Sequence, residues 1–457
     1  MKLDDALTAL SSVLGERLSR SKSDLDTHGR SETHFGGHSP DAVAYPTSTG
    51  EVAQIVAICR DHAVPIIGFG AGTSLEGHTA AIRGGVSVDF SQMNRVLGIH
   101  PEDMDVVVQP GVTREQLNEE LRATGLFFPV DPGANASLGG MASTRASGTT
   151  TVRYGTMRDN VMGLEVVTAD GEIIRTGTRA RKSSAGYDLT GLFVGSEGTL
   201  GLITELTLKL HGQPEAVAAA VCAFPDTQSA VSSVIAAVQM GLPLARVEFL
   251  DAASIAAVNT YSDRADALMP HLFLEFHGSP NAVAEDAETF GALASENGGS
   301  EFAWSSKTEA RNALWAARHS AYWAILGSRP GAKGFVTDVC VPISRLAEAI
   351  DETQADIAAS PVPGPILGHV GDGNFHAILL IDPNSPEEAA AAAALSARMV
   401  ERAQAMGGTA TGEHGVGMGK LDYMDAEHGG GWSIMGQIKR ALDPDGIMNP
   451  GKLIRQN

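Results

Sequence analysis

Cysteine is scarce in this chain of 457 residues. Cys59, Cys222 and Cys340 stand far apart and form no CxxC pair. An odd, sparse set reads as free thiols in a reducing compartment, and it excludes a disulfide scaffold and an iron–sulfur ligand run. Aromatic residues make up only 5%, too few for a base-stacking platform. Positive charge is also short: 33 Lys and Arg face 54 Asp and Glu, for a formal net charge of −21. The densest basic stretch, Arg175 to Lys182, is brief and interrupted, so nucleic acid is excluded as a partner and anionic lipid is disfavoured. No uninterrupted apolar run reaches the ~18 residues of a membrane span. The amino-terminal Met-Lys-Leu-Asp-Asp has neither a basic n-region nor an apolar h-region. These absences lead to the expectation of a soluble, cytoplasmic protein, with peripheral association at the inner membrane still compatible.

What is present describes a globular protein with sizeable cores: 43% hydrophobic and 19% charged residues. At roughly 150 residues per domain the length allows two or three domains. Residues 1–36 read as a polar, helical lead-in, 37–213 as a first α+β domain, 214–441 as a second, and 442–457 as a tail that packs back on the body. In the first domain, Glu51 to His62 has helical apolar spacing, and strands are expected near 64–67, 85–90, 105–109 and 203–210. Thr113 with Gln116 three residues on reads as a capping box opening a helix. In the second domain, Ala-rich helices are expected at 218–222, 229–240 and 386–405, and strands at 246–250, 271–276, 335–341 and 366–381.

Glycine is abundant at 52 residues, about 11% against a usual ~7%, and it clusters. Gly68-Phe69-Gly70-Ala71-Gly72-Thr73-Ser74 follows a strand, and its glycines let backbone N–H groups turn towards a pyrophosphate. No Lys follows, so it is not a P-loop, and the β-rich continuation departs from a Rossmann fingerprint. A second stretch runs through Asp131-Pro132-Gly133 to Leu138–Gly148, and a third is Val194-Gly195-Ser196-Glu197-Gly198-Thr199-Leu200-Gly201. Three such stretches in one domain suit an extended dinucleotide lying along the backbone.

The sharpest motif is Gly368-His369-Val370-Gly371-Asp372-Gly373-Asn374-Phe375-His376. Asp-Gly between apolar strands predicts a two-residue hairpin turn, which would set His369 directly opposite His376 at the ~4.5–5.5 Å Cβ separation that lets two imidazoles share a divalent metal. Gly412-Glu413-His414-Gly415 offers a carboxylate ligand in Glu413 and a general base in His414. Arg318 lies on a helix with apolar spacing and could clamp a substrate carboxylate, although from spacing alone a salt bridge to one of the 54 acids is the better reading.

Several segments together carry a resemblance: Phe69–Gly77, Phe128–Gly140, Val152–Asn160, Phe193–Ile203, Thr337–Leu346, Gly368–Leu380, Thr411–Lys420 and Leu442–Lys452. In them the chain resembles the flavoprotein family that includes vanillyl-alcohol oxidase, and within it the cytochrome-linked D-lactate dehydrogenase branch. The resemblance implies an α+β fold with an FAD-binding domain, a substrate (cap) domain and a carboxy-terminal tail returning to the FAD domain. It implies FAD held by Gly70, Ala71, Gly72, Thr73, Ser74, Pro132, Gly133, Ser137, Gly140, Ser143, Thr144, Gly148, Glu197, Gly198, Ile203 and Asn449. It also implies Zn2+ or Mn2+ on His369, His376 and Glu413, with His414 as base and Arg318 on the carboxylate. Ser74 and His78 stand where close relatives carry Gly. Some members attach FAD through a loop His; non-covalent FAD is expected here. Relatives acting on 2-hydroxyglutarate carry a Lys shortly before the position of Asp338, whereas Val336 and Thr337 stand here, which favours a monocarboxylic substrate. The implied activity is oxidation of a D-2-hydroxy acid, D-lactate foremost, with electrons passed to cytochrome c, a quinone or an electron-transfer flavoprotein. A homodimer is compatible. Alternatives are a glycolate oxidase subunit or a dehydrogenase of a bulkier D-2-hydroxy acid and, in other classes, a flavin-free zinc hydrolase or a non-catalytic nucleotide-binding module.

Overall fold

The computed structural model describes residues 2–31 and 33–455. They form two compact units, one of residues 1–147, 155–213 and 413–457, the other of 148–154 and 214–412. The chain returns to the first unit at Glu413, ahead of the 441–442 boundary expected from the turn at Asp443–Gly446.

The first unit holds two sheets. The smaller runs in the order Leu18–Ser19, Ala42–Ala44, Val86–Asp89, Ile66–Phe69, its last three strands parallel. Helix Thr49–His62, capped by Ser48, lays Val52, Ile55, Val56 and Cys59 into this core. Helix Lys2–Leu14 adds Ala6, Leu7, Leu10 and Leu14 to it. Residues 1–36 are therefore not a separate lead-in: their apolar helix face is buried and their short strand forms a sheet edge. At the opposite edge Ile66 exchanges backbone hydrogen bonds with Ile447 and Asn449, so the last turn of the chain extends this sheet. The larger sheet is antiparallel, in the order Val96–His100, Asp105–Val108, Gly201–Lys209, Val161–Thr168, Ile173–Gly177. Thr113 caps helix Arg114–Glu120, but Gln116 turns to Asn94 and Glu120, so only half of the predicted box forms.

The second unit is built on one antiparallel sheet in the order Ser300–Ser305, Ala216–Ala223, His271–Gly278, Leu244–Leu250, Ile366–His369, Asn374–Ile381, Lys333–Val336, with Val339–Cys340 also paired to Asn374–Ile381. The segment expected as a helix at 218–222 is a strand, hydrogen-bonded on both sides and buried. Alanine's helical preference is under 1 kcal/mol per residue, and pairing with two neighbours outweighs it. The predicted strand 335–341 is broken at Thr337-Asp338, both buried. One sheet face meets helix Pro280–Glu296, with Phe276 against Phe290. The other presents Phe273, Leu250, Leu367, Ile378 and Leu380 to helices Ala252–Ser262, Thr308–His319 and Ala321–Gly327. Further along that second face the alternating positions turn polar: Asn374, His376, His369, Glu248, Arg246, Glu275 and His277. Side chains one and two pairs apart on one face lie within reach of each other, so the polar end of this sheet is where chemistry concentrates.

The histidine hairpin is not the expected two-residue turn. His369 pairs with Asn374 and Leu367 with His376, leaving Val370–Gly373 as a four-residue loop. Gly373 takes φ +82°, and a Cβ there would lie 2.0 Å from the Val341 carbonyl oxygen. The slip relative to expectation is two residues. Since side chains alternate with period two, His369 and His376 still share a face, as diagonal neighbours rather than a direct pair.

Candidate active site

In the first unit the glycine-rich segments converge. A Cβ on Gly70 would overlap Ser137 Oγ at 2.2 Å, with Gly140 Cα 3.8 Å away. Ser137 precedes helix Leu138–Thr144 without capping it, and its hydroxyl is buried with no hydrogen-bond partner among the described residues; Ser74 Oγ is in the same condition. A buried hydroxyl left unpaired costs about 1–3 kcal/mol. Two of them around a loop that excludes a Cβ fit a phosphate-bearing ligand. Ala71, Gly72 and Thr73 complete that loop. Gly195 and Glu197 donate their N–H groups to the Ala142 and Ser143 carbonyls, which ties the 194–201 stretch to the helix end. Ser143 and Thr144 spend their hydroxyls on the Gly139 and Gly140 carbonyls of their own helix.

Glu197, expected as a cofactor contact, has other work. Buried, with φ +54°, it accepts the Val416 N–H at 2.7 Å and the Gly417 N–H at 2.9 Å, and it lies 3.2 Å from His78 Nε2. Burial would lower the His78 pKa, but the Glu197 and Glu76 carboxylates outweigh it and push the imidazole up. Asn449 donates to the His78 and Glu197 carbonyls across Gly198, while Ser147 Oγ donates to Glu413 Oε2 at 2.8 Å. The Glu413–Gly417 loop is thus held at both ends, with His414 between. Ile203 sits in the larger sheet's core. Pro132 and Gly133 lie on an outer stretch, and Gly148 falls in the second unit, donating to Thr151 Oγ1.

In the second unit the His369 and His376 ring centroids are 5.7 Å apart. His369 Nδ1 bonds Glu248 Oε1 at 2.6 Å and His376 Nδ1 bonds the Thr337 carbonyl at 2.9 Å. Both bonds put the ring proton on Nδ1 and the lone pair on Nε2, the arrangement of metal-ligating histidines. The donor set therefore fits a divalent ion. Asp338, fully buried, accepts from Asn374 Nδ2 at 2.7 Å and Thr411 Oγ1 at 2.6 Å, and lies 3.6 Å from His376 Nδ1. Arg318 is buried and gives Nη2 to Glu248 Oε2 at 2.5 Å, the salt bridge that spacing suggested, yet its Nε has no partner among the described residues. Along the same face Tyr154 OH, His277 and Glu275 form a relay with 2.7 Å links. Arg246 lies 4.9 Å above the Trp315 ring.

Sequence reasoning missed Glu248. The signal was there: Arg246 and Glu248 alternate with apolar residues in a strand too hydrophobic to be exposed, and a buried charge must be paired. In sequence Asp338 stands out only for the Lys missing before it; in the structure it anchors Asn374 and Thr411.

Two family models match this chain: residues 40–177 as an FAD binding domain, and residues 213–453 as the C-terminal domain of FAD linked oxidases. The fold agrees, since p-cresol methylhydroxylase superposes with a TM-score of 0.77 at 17% identity, covering 99% of this chain and 96% of that one. The chain belongs to the FAD-linked oxidases, in the group of the cytochrome-type D-lactate dehydrogenases, and is a flavin-dependent oxidoreductase. It is 50% identical to "Probable D-lactate dehydrogenase, mitochondrial" of Danio rerio, over 99% of this chain and 92% of that protein. It is 44% identical to "D-lactate dehydrogenase [cytochrome], mitochondrial" of Arabidopsis thaliana, over 98% of this chain and 80% of that protein. The mitochondrial assignment of these relatives overturns the expectation of a cytoplasmic enzyme, which rested on sparse cysteine and on the lack of a secretory signal and of long apolar runs, features silent about organelles. Among the described residues no helix is long and apolar enough to cross a membrane.

Proposed function

We propose that this protein oxidises D-lactate to the 2-oxo acid and passes the electrons to a cytochrome-type acceptor. The observation that carries the substrate class is Arg318: a buried guanidinium oriented by Glu248, with Nε left for an acceptor. A substrate carboxylate supplies that acceptor through a charge-assisted bond. The Gly70–Ser74 loop and Ser137 would hold FAD non-covalently, and the flavin would supply the two-electron acceptor for the Cα hydrogen. His369 and His376, with Glu413 as the third ligand that the resemblance implies, would hold a divalent ion, Zn2+ or Mn2+, which would supply Lewis acidity at the substrate oxygens. His414 takes the hydroxyl proton, so two electrons and two protons leave the Cα–OH unit together. Asp338 holds Thr411 ahead of Glu413, Ser147 holds the Glu413 carboxylate itself, and Glu197 holds Val416 beyond His414.

The test is an anaerobic absorbance spectrum of the purified protein, followed by D-lactate and then L-lactate. Bleaching of a flavin band by the D form alone supports the reading. A flavin that neither isomer bleaches redirects it to glycolate or a bulkier D-2-hydroxy acid, and protein that stays colourless after reconstitution with FAD refutes it. His414→Ala is expected to retain flavin and lose its reduction by substrate. EDTA is expected to remove turnover, and full activity in metal-free enzyme would take the ion out of the mechanism.

A further inference from the structure

We infer that Glu248 is a positioning residue shared by the substrate clamp and the metal site: one buried carboxylate orients both Arg318 and His369. This rests on the functional reading above and extends it to a residue that touches neither substrate nor ion.

Glu248 is fully buried in strand Leu244–Leu250. The pairing of Phe249 with Gly368 brings it beside His369, and helix Thr308–His319 delivers Arg318 to the same face. Its two oxygens serve different donors, Oε1 accepting from His369 Nδ1 at 2.6 Å and Oε2 from Arg318 Nη2 at 2.5 Å. A lone carboxylate in that position would be costly; one guanidinium neutralises it, and the imidazole N–H fills the other oxygen. Two consequences follow from this one group. The bond to Nδ1 directs His369 Nε2 outward as the ligand nitrogen. The bond to Nη2 holds the guanidinium in one orientation, so Nε faces its acceptor without further ordering.

The residue must be a carboxylate, because only that group accepts at both ends. A glutamine can accept from one partner but turns an NH2 towards the other, so it breaks either the His369 or the Arg318 bond. An aspartate keeps the charge and both acceptors and loses reach by one methylene.

The experiment compares wild type, Glu248→Gln and Glu248→Asp as FAD-loaded protein. Metal-stripped samples are titrated with Mn2+ and Zn2+, bound metal is measured by mass spectrometry, and KM and kcat for D-lactate are determined with thermal melts and flavin content. E248Q is expected to raise the metal dissociation constant about 10–100-fold and KM about tenfold or more, with flavin content unchanged. E248D is expected to recover part of both losses. Wild-type metal affinity and KM in E248Q, or a lowered melting temperature with both unchanged, would overturn the inference. If E248Q does not fold, E248D decides, since wild-type values in that variant are equally fatal. Wild-type protein that binds neither ion refutes the metal reading itself, a failure distinct from that of Glu248. Wild-type protein inert towards D-lactate refutes the substrate reading and leaves the titration to decide.

Discussion

Replacing Glu197 by Gln tests the structure at a point where two roles compete. The wild-type carboxylate accepts two buried backbone N–H groups, from Val416 and Gly417, and faces His78 at 3.2 Å. Gln keeps one acceptor oxygen, sets an NH2 against the second N–H and removes the charge opposite the imidazole. A hydrogen bond to a charged group is worth about 1.5–3 kcal/mol and an orphaned buried donor costs about 1–3, so a net loss of about 2–4 kcal/mol is expected once relaxation is allowed for. In a unit of this size that lowers the melting temperature by about 5–10 °C. The loop that loosens carries His414, and a displacement of about 1 Å at a reacting group can cost about 10²-fold in rate. Calorimetry gives the first quantity and anaerobic stopped-flow reduction of the flavin by D-lactate the second. E197Q that melts within about 1 °C of wild type and is reduced at the wild-type rate would refute the reasoning. Loss of flavin at unchanged stability would return Glu197 to cofactor binding.

Three further outcomes are expected. Gly373→Ala forces a side chain into φ +82° and against the Val341 carbonyl; it should cost about 2–4 kcal/mol in thermal melts and weaken metal binding, because both histidines flank that loop. His211 has its pKa pushed down to about 4 by burial, then by Lys209 and Arg181. Its native form is neutral while the unfolded form titrates near 6.5, so stability should fall as pH drops from about 6.5 to 4, by about 3.4 kcal/mol at full shift and about 2–3 kcal/mol once solvent screening of this half-buried ring is counted. His211→Gln, which can still donate to Asn160, should flatten the melting temperature over that window, and an unchanged acid slope would refute the assignment. Ser147→Ala removes the 2.8 Å bond to Glu413; it should cost about 1 kcal/mol and weaken metal binding several-fold in the same titration, with no change expected in flavin content.

The chemistry on offer and the order of its parts are legible in the chain alone. The glycines at 70 and 195 mark positions that exclude a Cβ, the amphipathic helix at Thr49–His62 follows from local period, and His369, His376, Glu413 and His414 announce themselves by residue type. Even the wrong hairpin turn left the two histidines on one face, because alternation tolerates a slip of two. Tertiary structure decided everything that depends on long-range pairing. Ala216–Ala223 is a strand only because neighbours on both sides supply its hydrogen bonds. Glu197 serves the loop at 416–417, more than two hundred residues away in the chain. Glu248 finds Arg318 and His369 through sheet register. Local propensities are worth tenths of a kcal/mol, whereas satisfying a buried charge is worth several, so the burial pattern of the whole fold, not any local stretch, selects the partners of the buried acids.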